Sequence, residues 1–359
     1  MPKLQPPRLP STLVPRGRLL ARLDRGLEGS LTLISAPAGS GKTTLVRQWM
    51  SERDASTGGS FPAIAWVSLD AGDNDPMRFW RYVITACQTF QISQAALALL
   101  PTRTQALVKP AFLETLLTTL LNDLASLSSK SVLVLEDYHI LTSPQLHESV
   151  TFFLEHLPAT LHVILMSRAE PSLPLARLRA SGNLSELSVA DLRFSRQETE
   201  AFLHQLTSLH LSEVALHHLD IRLQGWAAGL RLLTLSLQEH LTQEEPEQAL
   251  TRLEGRQRPL LDYFVSEVLA VQPEPLQAFL LQTCMLSRLN DSLCNAVTGR
   301  QDGALVLDSL ERMNLFLERL DGPGHWYRYH ALFAEAMQHI ASLRSGEEHL
   351  HYSLQQASH

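Results

Sequence analysis

The chain has 359 residues, enough for two or three domains with a sizeable buried core. Its 45% hydrophobic and 19% charged residues are ordinary for a globular protein, and its formal charge of −7 argues against a broad nucleic-acid footprint. The lysines are Lys3, Lys42, Lys109 and Lys130, and the densest basic cluster is Arg252, Arg256 and Arg258, read as a solvated loop. No run approaches the ~18 apolar residues of a membrane span, so no membrane partner is expected. The Pro-rich start, MPKLQPPRLPSTLVPRGR, lacks the apolar core of a secretory signal. Cys87, Cys284 and Cys294 are too few and too scattered for a disulfide framework or a zinc site. A cytoplasmic protein is the expectation.

Residues 1–18 read as an extended arm, because Pro6, Pro7, Pro10 and Pro15 forbid a continuous helix. A short helix, Arg18–Leu27, leads to an apolar strand at Leu31–Ile34. Then comes LTLISAPAGSGKTTL, a strand, a Gly-containing loop and a helix in the order a phosphate-binding loop requires. The candidate nucleotide contacts are Ala36, Pro37, Ala38, Gly39, Ser40, Gly41, Lys42, Thr43 and Thr44. Gly39 and Gly41 let backbone N–H groups converge on an anion, and the helix N-terminus adds partial positive charge. Lys42 is placed on the β/γ-phosphates and the Thr43 hydroxyl on Mg²⁺. Ala36 stands where the motif usually has its first glycine. ATP or ADP is therefore the expected ligand, with Mg²⁺.

Asp54–Pro62 reads as a loop and Ala63–Leu69 as a buried strand, expected to separate the phosphate loop from the acidic strand described next. Asp75 is a plausible N-cap with Pro76 at the first helical position, and Phe79, Val83, Ile84 and Cys87 continue that helix. Another helix runs from about Ala111 to Leu127. In SVLVLEDYHIL, Ser131–Leu141, four apolar residues end in Glu136 and Asp137, the arrangement in which one acid serves Mg²⁺ and the other orients water. Asp usually comes first, and adjacent strand residues face opposite ways, so which acid meets the metal stays open. Leu161–Ser167 is a further strand. Arg168 at its end either reaches the γ-phosphate or pairs with Glu170. Glu186–Val189 reads as the last strand. The alternation over residues 31–190 predicts an α/β domain, a mainly parallel sheet with helices on both faces.

Beyond Asp191 the pattern is helical. Ser195 and Glu198 form a capping box opening a helix through Phe202, Leu203 and Leu206. Gly225–Leu237 reads as a helix apolar around much of its circumference. Polar Glu244–Glu247 precedes a helix resuming at Leu260. Pro273–Gly299 reads as helices and Leu305–Leu317 as another. Phe316–Leu320 and Trp326–Tyr329 form a hairpin about Gly322–Gly324, followed by helix Leu332–Ile340: a winged helix. The tail, Ser345–His359, is polar.

The runs APAGSGKTTLVRQW, WVSLDAGDNDPMRFWRYV, VLVLEDYHIL, HVILMSRAEPSLPLARLR, DLRFSRQE, GWAAGLRLL and LFLERLDGPGHWYRYHALFAEAM closely resemble MalT-like regulators. These are LuxR-type transcription activators of the STAND class, AAA-like signal-transduction ATPases. The resemblance implies an arm (1–18), a nucleotide-binding domain (19–192), a helical domain (193–257), a winged-helix domain (258–345) and the start of a helical sensor region (346–359). It implies an ATP/ADP switch with slow hydrolysis: ADP holds a closed monomer, while ATP and an unknown inducer favour a self-associating form. By motif it gives Lys42 and Thr43 the phosphate and Mg²⁺ roles, Glu136 and Asp137 the Walker B roles, and Arg168 the sensor role. His330, in YRYHALF, matches a histidine that touches the β-phosphate of ADP, with an ordinary helix-capping histidine as the lesser alternative. Arg16 matches a residue near adenine, and Ala227 replaces the proline of a Gly-x-Pro segment at Gly225. The family's sensor and DNA-binding helix-turn-helix would follow His359, so DNA binding is not expected of this chain, which is a fragment or a short form. The alternatives are a metabolic P-loop ATPase or kinase, and a nucleotide-locked scaffold that does not hydrolyse.

Overall fold

The computed structural model describes residues 2–10, 13–57, 62–100, 110–207, 212–240, 258–320 and 326–356. The chain forms two compact units, Met1–Ala36 with Gly41–Leu192, and Pro37–Ser40 with Arg193–His359. No described helix is long and apolar enough to cross a membrane.

The first unit is a parallel sheet of β1 (Leu31–Ser35), β2 (Ala63–Ser68), β3 (Ser131–Glu136), β4 (Leu161–Ser167) and β5 (Leu184–Leu187), in the order β2-β3-β4-β1-β5. Helices α1 (Gly17–Gly26) and α2 (Lys42–Thr57) bring Leu19, Leu23, Leu45, Val46 and Trp49 into one core with Ile34, Trp66, Val132 and Val134. Leu33, Val67, Leu133, Leu135, Val163 and Leu165 alternate with those residues and form a second core. Into it pack α3 (Pro76–Cys87), α4 (Ala95–Leu99), α5 (Pro110–Ala125) and α6 (Pro144–Glu155), through residues such as Phe79, Ala96, Leu116 and Phe153. Both faces are covered, which is why these strands read as unbroken apolar runs. Two short helices, α7 (Ala176–Ala180) and α8 (Val189–Leu192), flank β5. Asp75 caps α3 as expected, accepting from the Met77 N–H at 2.9 Å, with Pro76 in the first turn.

Three sequence expectations shift here. The strand between β1 and acidic β3 is β4, whereas β2, Ala63–Ser68, lies at the sheet edge. Chain order does not fix spatial order, because a crossover can place a later strand inside an earlier one. The last strand is Leu184–Leu187, and the residues from Val189 already turn into α8. The helix after the loop runs through Thr57, so Asp54–Thr57 is helical, while 58–61 lie outside the described residues.

The second unit starts with α9 (Arg196–Thr207), α10 (Glu213–Leu223) and α11 (Ala227–His240). The capping box is present: Glu198 N–H donates to Ser195 Oγ at 3.2 Å, and Ser195 N–H to Glu198 Oε2 at 2.8 Å. The predicted Gly225–Leu237 helix begins instead at Ala227, because Gln224 and Gly225 both adopt left-handed backbone (φ 48° and 69°). A Cβ at Gly225 would come within 2.4 Å of the Phe194 carbonyl oxygen, so only glycine passes there. Leu230 is buried but Leu235 is exposed, so the helix is not covered all round.

Next, α12 (Arg258–Tyr263) runs into a π-helical turn, Phe264–Leu269, followed by α13 (Glu274–Thr283), α14 (Asp291–Thr298) and α15 (Gly303–Arg312). That last helix ends before the expected Leu317, since Asn314 and Phe316 take left-handed backbone (φ 50° and 53°) and turn the chain into a strand. Strands β6 (Leu317–Arg319) and β7 (Tyr327–Tyr329) pair antiparallel, and Leu289 bridges to Tyr327. Helix α16 spans Ala331–Gln356, well past the expected Ile340 and through much of the polar tail. Phe264, Phe316 and Phe333 gather around Trp226 and α16 in the core. The expected turn at Gly322–Gly324, the segment Glu244–Glu247, and Arg252 and Arg256 lie outside the described residues.

Candidate functional site

The carboxyl ends of β1, β3 and β4 lie side by side in the first unit, and the predicted site residues follow directly from them. Buried Ala36 continues β1, donating its N–H to the Ser167 carbonyl of β4 at 3.2 Å. Gly39 and Gly41 take left-handed backbone (φ 71° and 84°), the conformation their placement in the motif anticipates. Helix α2 then starts at Lys42, and its first bond runs from Leu45 N–H to the Gly41 carbonyl at 2.9 Å. Thr44 is half-buried in that first turn. The Lys42 ammonium donates to the Ala36 carbonyl at 2.6 Å, holding the charge over the loop. Burial, reinforced by the nearby Arg168 guanidinium, pushes the Lys42 pKa down to about 8, against the pull of Asp137 and Glu136.

Glu136, the last residue of β3, meets the start of α2. Thr43 Oγ1 donates to Glu136 Oε1 at 2.6 Å, so the α2 hydroxyl and the β3 carboxylate are direct neighbours. The second oxygen, Oε2, accepts from Ser68 Oγ at 2.7 Å and from the Trp66 indole N–H at 3.1 Å. Asp137 turns away: its backbone is left-handed (φ 60°), its side chain is 41% exposed, and its Oδ1 lies 3.9 Å from His139 Nδ1. Burial, Arg168 and Lys42 hold His139 down at about 4, so its imidazole is neutral at physiological pH. Half-buried Arg168 follows β4 one residue beyond Ser167, whose carbonyl accepts from Ala36.

The Thr43–Glu136 pair suits Mg²⁺ in particular. A threonine hydroxyl can offer a lone pair to the ion while its O–H goes on donating a hydrogen bond to the carboxylate. No cluster of three His, Cys, Asp or Glu side chains able to hold a metal occurs among the described residues. Mg²⁺ does not need one, since it takes one or two protein oxygens and completes its shell with water and phosphate.

Four residues of the loop, Pro37–Ser40, group with the second unit. There the Trp226 indole donates to the Ala38 carbonyl at 3.1 Å, and Ala228 N–H to the Gly39 carbonyl at 2.9 Å. A Cβ on Gly39 would come within 2.5 Å of the Ala228 Cβ and 2.6 Å of the Tyr263 hydroxyl. His330, between β7 and α16, is buried, with Nε2 3.4 Å from the Leu223 carbonyl and its ring beside Trp226 and Phe316. Its Nδ1 is buried with no hydrogen-bond partner, and burial lowers its pKa to about 4. Arg16 belongs to the first unit, buried, with Nη1 donating to the Leu192 carbonyl at 2.8 Å. That contact ties the N-terminal arm to the end of α8.

Residues 13–166 match the model of an AAA ATPase domain. Residues 265–349 match the model of the MalT winged helix domain. In fold, the chain is similar to a Walker-type ATPase of Pyrococcus abyssi, at 18% identity and a TM-score of 0.57, over 93% of this chain and 99% of that one. A STAND protein with a tetratricopeptide repeat sensor from Pyrococcus horikoshii matches at 12% identity and a TM-score of 0.47, over 98% of this chain and 45% of that one. This chain thus spans less than half the length of that protein. The ORC2 protein of Aeropyrum pernix matches at 13% identity and a TM-score of 0.49, over 94% and 96% of the two chains.

Sequence reasoning named the loop, the acids and Arg168 but not Trp66 and Ser68, which contact Glu136, taking Ala63–Leu69 as plain buried strand. The available signal was their i, i+2 spacing, which puts an indole N–H and a hydroxyl on one face of an otherwise apolar strand. Trp226 was missed too, its run being read only as helix.

Proposed function

We propose that the chain is the nucleotide-dependent switch module of a MalT-like, LuxR-type transcriptional regulator of the STAND class, binding ADP and ATP with Mg²⁺ and hydrolysing ATP slowly. The reading rests above all on the Thr43–Glu136 pair at 2.6 Å, set beside Lys42 at the mouth of a parallel sheet. The two domain matches support it, in the order AAA ATPase then MalT winged helix. In this reading Lys42 exchanges the Ala36 carbonyl for the phosphates, and Gly39 to Thr44 present backbone N–H groups to them. Thr43 and Glu136 hold Mg²⁺, which when bound offsets phosphate charge. Asp137 faces the attacking water, and Arg168 reads the terminal phosphate.

The same proposal divides the chain into an arm (1–18), a nucleotide-binding domain (19–192), a helical domain (193–257), a winged-helix domain (258–345) and the start of a sensor region (346–359). It gives Arg16 and His330 nucleotide contacts, assigns the ATP form to self-association under an inducer, and places the protein in the cytoplasm.

Nucleotide at 100 times its dissociation constant stabilises a protein by about 2.7 kcal/mol, a rise of about 5–10 °C in melting temperature for domains of this size. That shift is expected with ADP or ATP plus Mg²⁺ and disappears in Lys42→Ala. His330→Ala loses more affinity for ADP than for ATP. No shift in the wild-type chain overturns nucleotide binding, and steady-state turnover above about 1 s⁻¹ replaces the switch with a metabolic enzyme.

A further inference from the structure

Glu136 stands where the motif usually has Asp, and its extra methylene adds a rotatable bond to the side chain that must face the metal. The fold meets that added freedom from β2. Ser68 is the direct register partner of Glu136 across the parallel ladder, and Trp66 pairs with Val134 two positions back. The ladder continues past the strand end, with Leu69 N–H donating to the Glu136 carbonyl at 3.0 Å, so this register is held on both sides of the pair. Ser68 Oγ (2.7 Å) and Trp66 Nε1 (3.1 Å) both donate to Glu136 Oε2, and the indole also reaches Ser68 Oγ at 3.0 Å. The indole is 2% exposed and packed with Ile34, Val134 and Trp49, so its N–H direction is fixed. One carboxylate oxygen is thus tethered to the edge strand, leaving Oε1 to face Thr43.

We infer that Trp66 and Ser68 are positioning residues for the metal-facing carboxylate, acting through Glu136 to set how tightly Mg²⁺ is held with the nucleotide. The pair touches neither phosphate nor metal. Its loss therefore weakens the Mg²⁺-dependent part of nucleotide binding and spares the Mg²⁺-independent part. The indole that contacts Glu136 also reports the metal: its fluorescence changes when Mg²⁺ joins the bound nucleotide. This inference rests on the proposed nucleotide site.

The test is calorimetric titration of the full chain with ADP and with a non-hydrolysable ATP analogue, in EDTA and across a Mg²⁺ series, paired with tryptophan emission. Ser68→Ala is expected to keep its affinity in EDTA and to need about tenfold more Mg²⁺ for half-saturation, the size of one lost hydrogen bond to a charged group. Ser68→Thr restores the wild-type Mg²⁺ dependence. Trp66→Phe shifts it in the same direction and removes the Mg²⁺-induced change in emission. In a Glu136→Asp background the shorter side chain no longer reaches β2, so adding Ser68→Ala has no further effect. Unchanged Mg²⁺ dependence in both Ser68→Ala and Trp66→Phe overturns the positioning role while nucleotide binding stands. Equal losses with and without Mg²⁺ overturn it too, because that pattern marks a merely structural role. Absence of binding by the wild-type chain under both conditions defeats the nucleotide site itself.

Discussion

At the proposed nucleotide site, Lys42 would make binding a proton-linked event. Its pKa falls from 10.5 to about 8, first because it is buried and next because Arg168 is close. The difference of about 2.5 units corresponds to about 3 kcal/mol in favour of the neutral amine. Phosphate oxygens reaching Nζ favour the charged form and return the pKa toward its ordinary value or above. At about pH 8, where the free protein holds half a proton on Lys42, binding takes up about half a proton, and more as pH rises. Affinity then drops by about tenfold per pH unit above that point, to a total of about 300-fold. Titration calorimetry at one pH in two buffers of different ionisation heat measures the uptake directly.

Stability of the nucleotide-free protein runs the other way. The unfolded chain keeps the Lys42 proton up to 10.5 and the folded chain releases it at about 8, so the unfolded state binds more protons between the two. Unfolding free energy from this group rises with pH across that window, by up to about 3 kcal/mol. Arg168→Gln raises the Lys42 pKa and moves both curves to higher pH. A flat affinity between about pH 7 and about pH 10, with no buffer-dependent heat, refutes the linkage.

Other consequences are equally direct. Glu136→Gln is expected to abolish the Mg²⁺ dependence of nucleotide affinity, whereas Asp137→Asn keeps that dependence and slows hydrolysis; the reverse pattern exchanges the two roles. His162 is fully buried between the Gly29 carbonyl and Thr32 Oγ1, 3.0 Å from each, and burial lowers its pKa from 6.5 to about 4. Its stabilising contribution is complete above 6.5 and lost as pH falls toward about 4. Denaturant unfolding at several pH values therefore has a steeper acid limb in the wild type than in His162→Gln. Gly225→Ala forces a side chain into left-handed backbone against the Phe194 carbonyl and is expected to cost at least ~1–3 kcal/mol, read as a lowered melting temperature. An unchanged melting temperature counts against that reading of the turn.

The legible parts of the sequence were those whose signal is local. Asp75 and Pro76, and Ser195 with Glu198, mark helix starts because the cap bonds lie within a few residues of one another. Leu31–Ile34 and Val132–Leu135 read as strands because both sheet faces are covered. Long-range order was not legible. Nothing in the chain order of Ala63–Ser68, Ser131–Glu136 and Leu161–Ser167 reveals that the last of them inserts beside β1. The late helix was overrun for a related reason: Asn314 and Phe316 take left-handed backbone where apolar spacing alone predicts continued helix. Phe316 does so while buried in the Trp226 cluster, a tertiary override of local preference.

The order of the two acids has the same logic. Alternation puts Glu136 and Asp137 on opposite faces, but one segment cannot tell which face carries the phosphate loop. The second half of the answer sits in β1: Ile34 and the α2 residues Leu45 and Trp49 share a core with Val132 and Val134. Counting by twos from Val134 brings Glu136 onto the α2 face, toward Thr43. Asp137 would fall on the far face if the strand continued. The left-handed turn at Asp137 breaks that alternation, ending the strand and leaving the second carboxylate partly in solvent while the first stays buried. The inverted order of acids therefore still delivers one anchored carboxylate and one water-facing carboxylate, and the longer Glu at the first position is what allows β2 to share in anchoring it.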